Sequence, residues 1–215
     1  FGLACLVALV RREMPREAPL FPLDLLRLRP FRISVIAGIA CFSAQMTSYV
    51  ALPFYLMHGL DQDAVTTGLV MTPWPVAVAL CGPFAGRLAD RVPGGLLSAI
   101  GGVCLATGLA LAAFWPLKGG SMTPLILFLV LAGTGFGLFQ TPNSRNLMLT
   151  APRERAGAAG GMQSTTRLAG QTVGALLMAV LFSALPAEDA PRVGLAVASV
   201  LALIAGAIST LRIAR

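Results

Sequence analysis

The side chains of this chain that could do chemistry are few, and nearly all stand inside apolar runs. Gln45 and Tyr49 are four residues apart, so on a helix they share a face. Gln140 and Asn143 are three apart and do the same, while Gln163, Arg167 and Gln171 form a stripe at i, i+4 and i+8. Trp74 lies deep in another apolar run. These groups give and take hydrogen bonds, and Arg167 adds one fixed charge. Such a set recognises a solute rather than cleaving one. The sequence has no HExxH, no GxSxG, no nucleotide-binding loop and no pair of acids in an apolar run. No catalytic residue, cofactor or metal site is expected, and the chain does not read as an enzyme. The four cysteines, Cys5, Cys41, Cys81 and Cys104, are far apart without a CxxC pair and read as small buried hydrophobes.

The elements that must position these residues are membrane helices. Of the 215 residues 56% are hydrophobic and only 12% are charged, about half the charge of a soluble domain. That excludes a water-soluble fold and disorder. The net charge of +7 does not indicate nucleic acid, because the basic residues form short clusters between apolar runs. Uncharged runs cover 33–57, 64–86, 92–117, 119–144, 168–187 and 193–211. Each has roughly 19 residues or more, enough to cross about 30 Å of hydrocarbon as a helix. The runs do not alternate polar and apolar, as barrel strands would. The expected fold is an all-α membrane protein with six spans near 33–57, 66–86, 95–115, 124–143, 156–184 and 193–211. Residues 1–10 read as the end of a preceding, truncated span and 11–32 as a cytoplasmic linker.

Orientation follows from Lys and Arg. Thirteen of the 16 fall on one side, in the segments 11–32, 87–94 and 145–155 and at the C-terminus. Lys118 and Arg192 fall on the other side, and Arg167 lies within a span. Positive residues stay cytoplasmic, so the C-terminus is expected inside. Arg167 has two readings: buried with a polar or anionic partner, or snorkelling to the cytoplasm. No Asp or Glu falls within any expected span. A proton-coupled protein would therefore carry its titratable group outside this chain.

Glycines recur at four-residue spacing in the pairs Gly82/Gly86, Gly133/Gly137, Gly157/Gly161 and Gly170/Gly174, which lets helix backbones approach closely. Pro53, Pro73, Pro75, Pro83 and Pro142 interrupt the spans and predict kinks. Two sets of three spans are compatible with an inverted repeat. The segment Gly82-Pro83-Phe84-Ala85-Gly86-Arg87-Leu88-Ala89-Asp90-Arg91 ends the second span. Gly86 is expected to permit a tight backbone, Arg87 and Arg91 to hold the loop inside, and Asp90 to latch a gate. Its carboxylate would dock on a helix N-terminus or pair with an arginine. The other reading is a solvated loop with a helix cap.

This loop resembles the G-x-L-a-D-r-x-G-r-k signature of the major facilitator superfamily. It departs at its end, with Pro93 and Gly94-Gly95 in place of the later glycine and basic pair. Residues 20–32 (LFPLDLLRLRPFR), 45–57, 68–91 and 157–182 resemble, in order, the linker and helices of the C-terminal half of fourteen-span drug:proton antiporters of the EmrB/QacA type. The resemblance implies a C-terminal half that packs against a missing N-terminal half. It also implies alternating access, a small-molecule substrate, proton coupling, and residence in a bacterial inner membrane. The expected substrate-binding residues are Gln45, Tyr49, Trp74, Gln140, Asn143, Gln163, Arg167 and Gln171. The gating loop comprises Gly86, Arg87, Asp90 and Arg91. Export of a metabolite, lipid or siderophore by the same fold, or a non-transporting scaffold, stay open as alternatives. For each polar stripe, helix–helix hydrogen bonding stays open beside cavity lining.

Overall fold

A computed structural model describes residues 24–114 and 122–212, which are helical apart from short turns. The expected helix end at 1–10, most of the linker 11–32, Cys5, Trp115 and Lys118 lie outside the described residues. Helix α1 covers Arg29–Phe54 and continues as a π turn, Tyr55–Gly59, just after Pro53. Pro53 has no N–H to donate, which favours wider winding at that point. The second span is split into α2 (Ala64–Met71) and α3 (Pro73–Leu88). Asp63 caps α2 by accepting from the Val65 and Thr66 amides, and Pro73 opens α3 at the position where its missing N–H costs least. Helices α4 (Gly94–Phe114), α5 (Thr123–Thr150), α6 (Ala156–Ala184) and α7 (Ala190–Thr210) complete the set.

Six stretches are long and apolar enough to cross a membrane: Arg29–Gly59, Ala64–Leu88, Gly94–Phe114, Thr123–Thr150, Arg153–Ala184 and Ala190–Thr210. The helices do not stop where charge begins. Helix α5 passes Pro142 and Arg145 and ends at Thr150, seven residues beyond the expected end at 143. The added turns are held because Leu147 packs into a small core with Leu25, Phe31, Val35, Ala159 and Met162. Leu25 brings the linker's last turn into that core, and Asp24 beside it forms a two-pronged pair with Arg155 at 3.0 and 3.2 Å.

Packing runs as an arc. α3 lies on α5, α5 on α4, α4 on α7, α7 on α1, and α1 on α6, while α1 also touches α5. Four of these seams are built from small residues and a hydroxyl or thiol. Between α4 and α5, a Cβ on Gly101 would lie 2.5 Å from the Phe139 nitrogen, and Ser98 donates to the Phe139 carbonyl at 3.3 Å. Between α4 and α7, Gly102 meets Gly206, and Ser199 donates to the Ala106 carbonyl at 2.9 Å. Between α1 and α6, Gly170 and Gly174 lie against the α1 backbone, and Ser43 and Thr47 donate to their carbonyls at 3.0 and 3.3 Å. Gly133 and Gly137 accept α3, whose Cys81 thiol points at the Thr134 carbonyl, 3.5 Å away. In an apolar solvent such close backbone approach and interhelical hydrogen bonds are what join helices.

The other two glycine pairs pack nothing. Gly82, Gly157 and Gly161 have no atom within 4 Å of an added Cβ, and Gly86 meets only a Thr141 methyl at 4.0 Å. They lie on the two outer spans. Of the most apolar stretch of each inner helix, 44–67% is buried within the chain, against 22% for α2–α3 and 17% for the span that contains α6.

Candidate functional site

A small, narrow pocket, with room for about one water, lies between α1, α5 and α6. α1 contributes Cys41 and Phe42, and α5 contributes Phe136, Phe139, Gln140, Asn143, Ser144 and Leu147. Gln163 and Thr166 come from α6. Helical spacing explains the set: Phe136, Gln140, Asn143, Ser144 and Leu147 recur at three and four residues on one face of α5. Phe42 and Phe136 meet edge to face at 5.9 Å, which makes one wall aromatic. Gln163 donates to the Ser144 hydroxyl at 2.7 Å and bridges the two walls.

Of the residues singled out from the sequence, Gln140, Asn143 and Gln163 line this pocket. Asn143 is buried, and both ends of its amide are engaged: its nitrogen donates to the Ser34 carbonyl at 3.1 Å, and its oxygen accepts from Arg212 at 3.0 Å. It is a wall fixed from behind more than a free hand for a ligand. Arg167 follows the lining residue Thr166 and stands one turn beyond Gln163. It is exposed and makes no hydrogen bond or ion pair with the described residues. The reading in which it is buried against a partner therefore does not hold among the described residues. Its α6 ridge toward α1 is taken by small residues, Gly170 and Gly174, and a guanidinium one position off that ridge projects past the seam. Gln171 is half-buried on the same stripe.

Gln45 and Tyr49 are half-buried one turn apart on α1. Tyr49 stacks edge to face on Trp74 at 5.3 Å. Trp74 itself is 1% exposed, a core residue between α1, α3 and α5 rather than an open wall, because its backbone carbonyl closes on Gly133.

The gating loop is also rearranged relative to expectation. Gly86 lies inside α3, whose Arg-Leu-Ala continuation favours helix, so the turn is made by the residues that follow Leu88. Asp90 pairs with Arg145 of α5 at 2.7 Å, the arginine-pairing alternative of the latch. Both side chains keep access to solvent, at 62% and 42% exposure, so the pair contributes little to stability. Arg87 and Arg91 are exposed, with no partner among the described residues. Gly94 packs on Pro142, which places the loop's far end beside the proline inside α5.

Several residues of the site escaped the sequence reading. Arg145, Arg155 and Arg212 counted only as topology charges, yet each has a specific partner. Ser34, Asn146 and Arg212 form a partly buried cluster behind Asn143: Arg212 donates to the Ser34 hydroxyl at 2.9 Å, and Asn146 donates to it at 2.7 Å. The Ser and Asn spacing on α1 and α5 was visible, but not that the chain's end folds back onto it. Burial lowers the Arg212 guanidinium to about 10, which leaves it charged at neutral pH.

Six long apolar helices with polar side chains converging on a small pocket suit a helical membrane protein of the solute-transport class. The comparisons with known proteins give the family. Residues 5–214 match the Major Facilitator Superfamily, and the chain belongs to it. It is thus an integral membrane protein of a transporter family and not an enzyme. It is 42% identical over 204 residues to the uncharacterized transporter YebQ of Escherichia coli, covering 95% of this chain and 44% of YebQ. It is 30% identical over 167 residues to the riboflavin transporter RibZ of Clostridioides difficile, covering 77% of this chain and 36% of RibZ. It is also 30% identical over 198 residues to the multidrug resistance protein Stp of Mycobacterium tuberculosis, covering 91% of this chain and 36% of Stp. The chain thus spans less than half the length of these relatives.

Proposed function

We propose that this chain is the C-terminal half of a multidrug efflux antiporter of the fourteen-span type, driven by protons and working by alternating access. The observations that carry the reading are the small polar pocket between α1, α5 and α6 and the two spans, α2–α3 and α6, that the chain leaves largely uncovered. A second set of helices laid on those two spans would close the pocket from the other side, and the unpacked Gly82, Gly86, Gly157 and Gly161 would admit close helix contact. The similarity to Stp supports a drug as cargo. The basic end, which bears Asp90, Arg145 and Arg155, faces the cytoplasm by the positive-residue rule, in a bacterial inner membrane. In this reading the Asp90–Arg145 pair is a latch at the cytoplasmic mouth, and the proton-carrying carboxylate lies in the other half. Residues 11–32 form the linker and 33–215 the six-span bundle.

The test is dye accumulation in pump-deficient cells that express the full-length protein. Low accumulation that a protonophore abolishes is the expected result. Accumulation equal to that of empty cells would sink the efflux reading. A second reading, movement of a metabolite, has one specific support, the 30% identity to a riboflavin transporter. Riboflavin uptake or release that depends on the protein would favour it.

A further inference from the structure

Helix α6 is held in two different ways along one ridge. Arg155, Ala159, Met162, Thr166, Gly170 and Gly174 recur at three and four residues, so they share the face turned to α1. From Thr166 on, the ridge is fixed by close approach. A Cβ on Gly38 would lie 2.8 Å from the Thr166 methyl, Gly170 and Gly174 lie against the α1 backbone, and Ser43 and Thr47 donate to their carbonyls. The near part, at the basic end of the bundle, has no glycine seam. Gly157 and Gly161 meet open space, and a Cβ on Gly160 would meet only the Met148 methyl at 3.6 Å. What holds this part is the turn before α1. Leu25, in the 3-10 turn Leu25–Arg27, is 3% exposed and packs with Ala159 and Met162 of α6, Phe31 and Val35 of α1 and Leu147 of α5. Arg155, at the N-cap of α6, donates to both carboxylate oxygens of Asp24 at 3.0 and 3.2 Å. No residue in the first turn of α6 is acidic, so Asp24 also brings a negative charge to the positive end of that helix. Leu28 alone, in extended conformation, joins the 3-10 turn to α1.

From this arrangement we infer that Asp24 and Leu25 form a strap that closes the near part of α6 onto α1 and α5, and that its release tilts α6 about the Gly170–Gly174 seam and widens the pocket. Gln163 of α6 and Ser144 of α5 meet across that pocket at 2.7 Å, and closed it has room for about one water. Release of the strap is how so narrow a cleft admits a solute. That last step rests on the transporter reading above, whereas the strap itself does not. The hold is suited to release. The ion pair is partly open to solvent, with 18% of the Arg155 side chain and 42% of that of Asp24 exposed, and the apolar part of the strap is one leucine. The seam at Gly170 and Gly174 is packed against backbone and serves as the pivot. The turn is continuous with the chain before it, so a pull on that chain reaches α6 through Asp24 and Leu25.

The test measures α6 itself, by distances between paired spin labels in the cysteine-free full-length protein in nanodiscs, with neither substrate nor gradient. One pair, Gly157→Cys with Leu96→Cys, joins the near ends of α6 and α4 at exposed positions. The other, Leu176→Cys with Leu111→Cys, lies beside the pivot, again at exposed positions. In a separate variant, the rate at which a soluble maleimide modifies Gln140→Cys reports opening of the pocket. Asp24→Asn combined with Leu25→Ala should at least double the population at longer distances for the near pair and leave the pivot pair unchanged. It should also raise the labelling rate at position 140 at least fivefold. Asp24→Asn alone should act in the same direction with a smaller effect, and the exchange Asp24→Arg with Arg155→Asp should reverse most of that effect. An unchanged near pair in the combined variant overturns the strap. So does an equal shift of both pairs, which is general loosening, or a charge exchange that leaves α6 as open as Asp24→Asn does. These readouts involve no transport, so the strap and the efflux reading fail separately.

Discussion

The inner helices α1, α4, α5 and α7 and the outer spans α2–α3 and α6 use glycine differently. In the inner set a glycine marks a seam: Gly101 and Gly135 bring α4 against α5, and Gly102 and Gly206 bring α4 against α7. On the outer spans the glycines divide. Gly170 and Gly174 seat α6 on α1, whereas Gly82, Gly157 and Gly161 meet open space. The same four-residue spacing thus has two fates, set by what the chain places opposite. One part of the molecule is a finished core and the other is a prepared surface. The pocket lies where they meet.

The sharpest way to break this comparison is Gly135→Ala against Gly161→Ala in the full-length protein. An added methyl at Gly135 would enter the Leu105 backbone and lie 2.7 Å from the Gly101 carbonyl, so α4 and α5 must part. Overpacking a fixed backbone contact costs on the order of 3 kcal/mol, and little folded protein should reach the membrane. Gly161→Ala should leave thermal stability within about 0.5 kcal/mol. Equal losses in the two variants would erase the distinction.

A smaller effect is expected at the α1–α6 seam. Ser43→Ala removes the hydrogen bond to the Gly170 carbonyl and should cost about 0.6 kcal/mol, seen as a modest fall in the detergent melting temperature. A loss several times larger would mean that α6 is held to the core mainly by hydroxyls rather than by backbone approach.

Asp90→Asn should change stability least, by less than about 1 kcal/mol, since the Arg145 pair is open to solvent. Transport should nonetheless fall several-fold, and the exchange Asp90→Arg with Arg145→Asp should restore part of it. Unchanged efflux in Asp90→Asn would remove the latch.

Much of the fold could be read from the residues, because bilayer thickness forces long uncharged runs and positive charge marks their ends. Six spans and an all-α class follow from that alone. Helix ends were less legible: α5 continues past its first charge because Leu147 finds a core that includes the linker's Leu25, a contact 122 positions away in sequence. The site was legible by face but not by depth. Periodicity put Gln163, Arg167 and Gln171 on one stripe, and Gln163 does bridge to Ser144. The same reasoning treated Trp74 as an open wall, although close approach at Gly133 buries it. It treated Arg212 as a topology charge, although the last turn carries it back to Asn143. Spacing within one helix says which residues share a face. Only the neighbour decides whether that face is core, cavity or surface.

The central claim is that the Gln163 side of α6 borders a water-filled cavity of the whole protein. The direct measurement is thiol labelling of Gln163→Cys in a cysteine-free full-length background, with a membrane-impermeant reagent. Leu203→Cys on the exposed apolar face of α7 serves as the lipid-facing control. Labelling at position 163 that a transported dye suppresses, with position 203 silent, is the result this account predicts. Silence at 163 under every condition, or labelling of both positions alike, would contradict it.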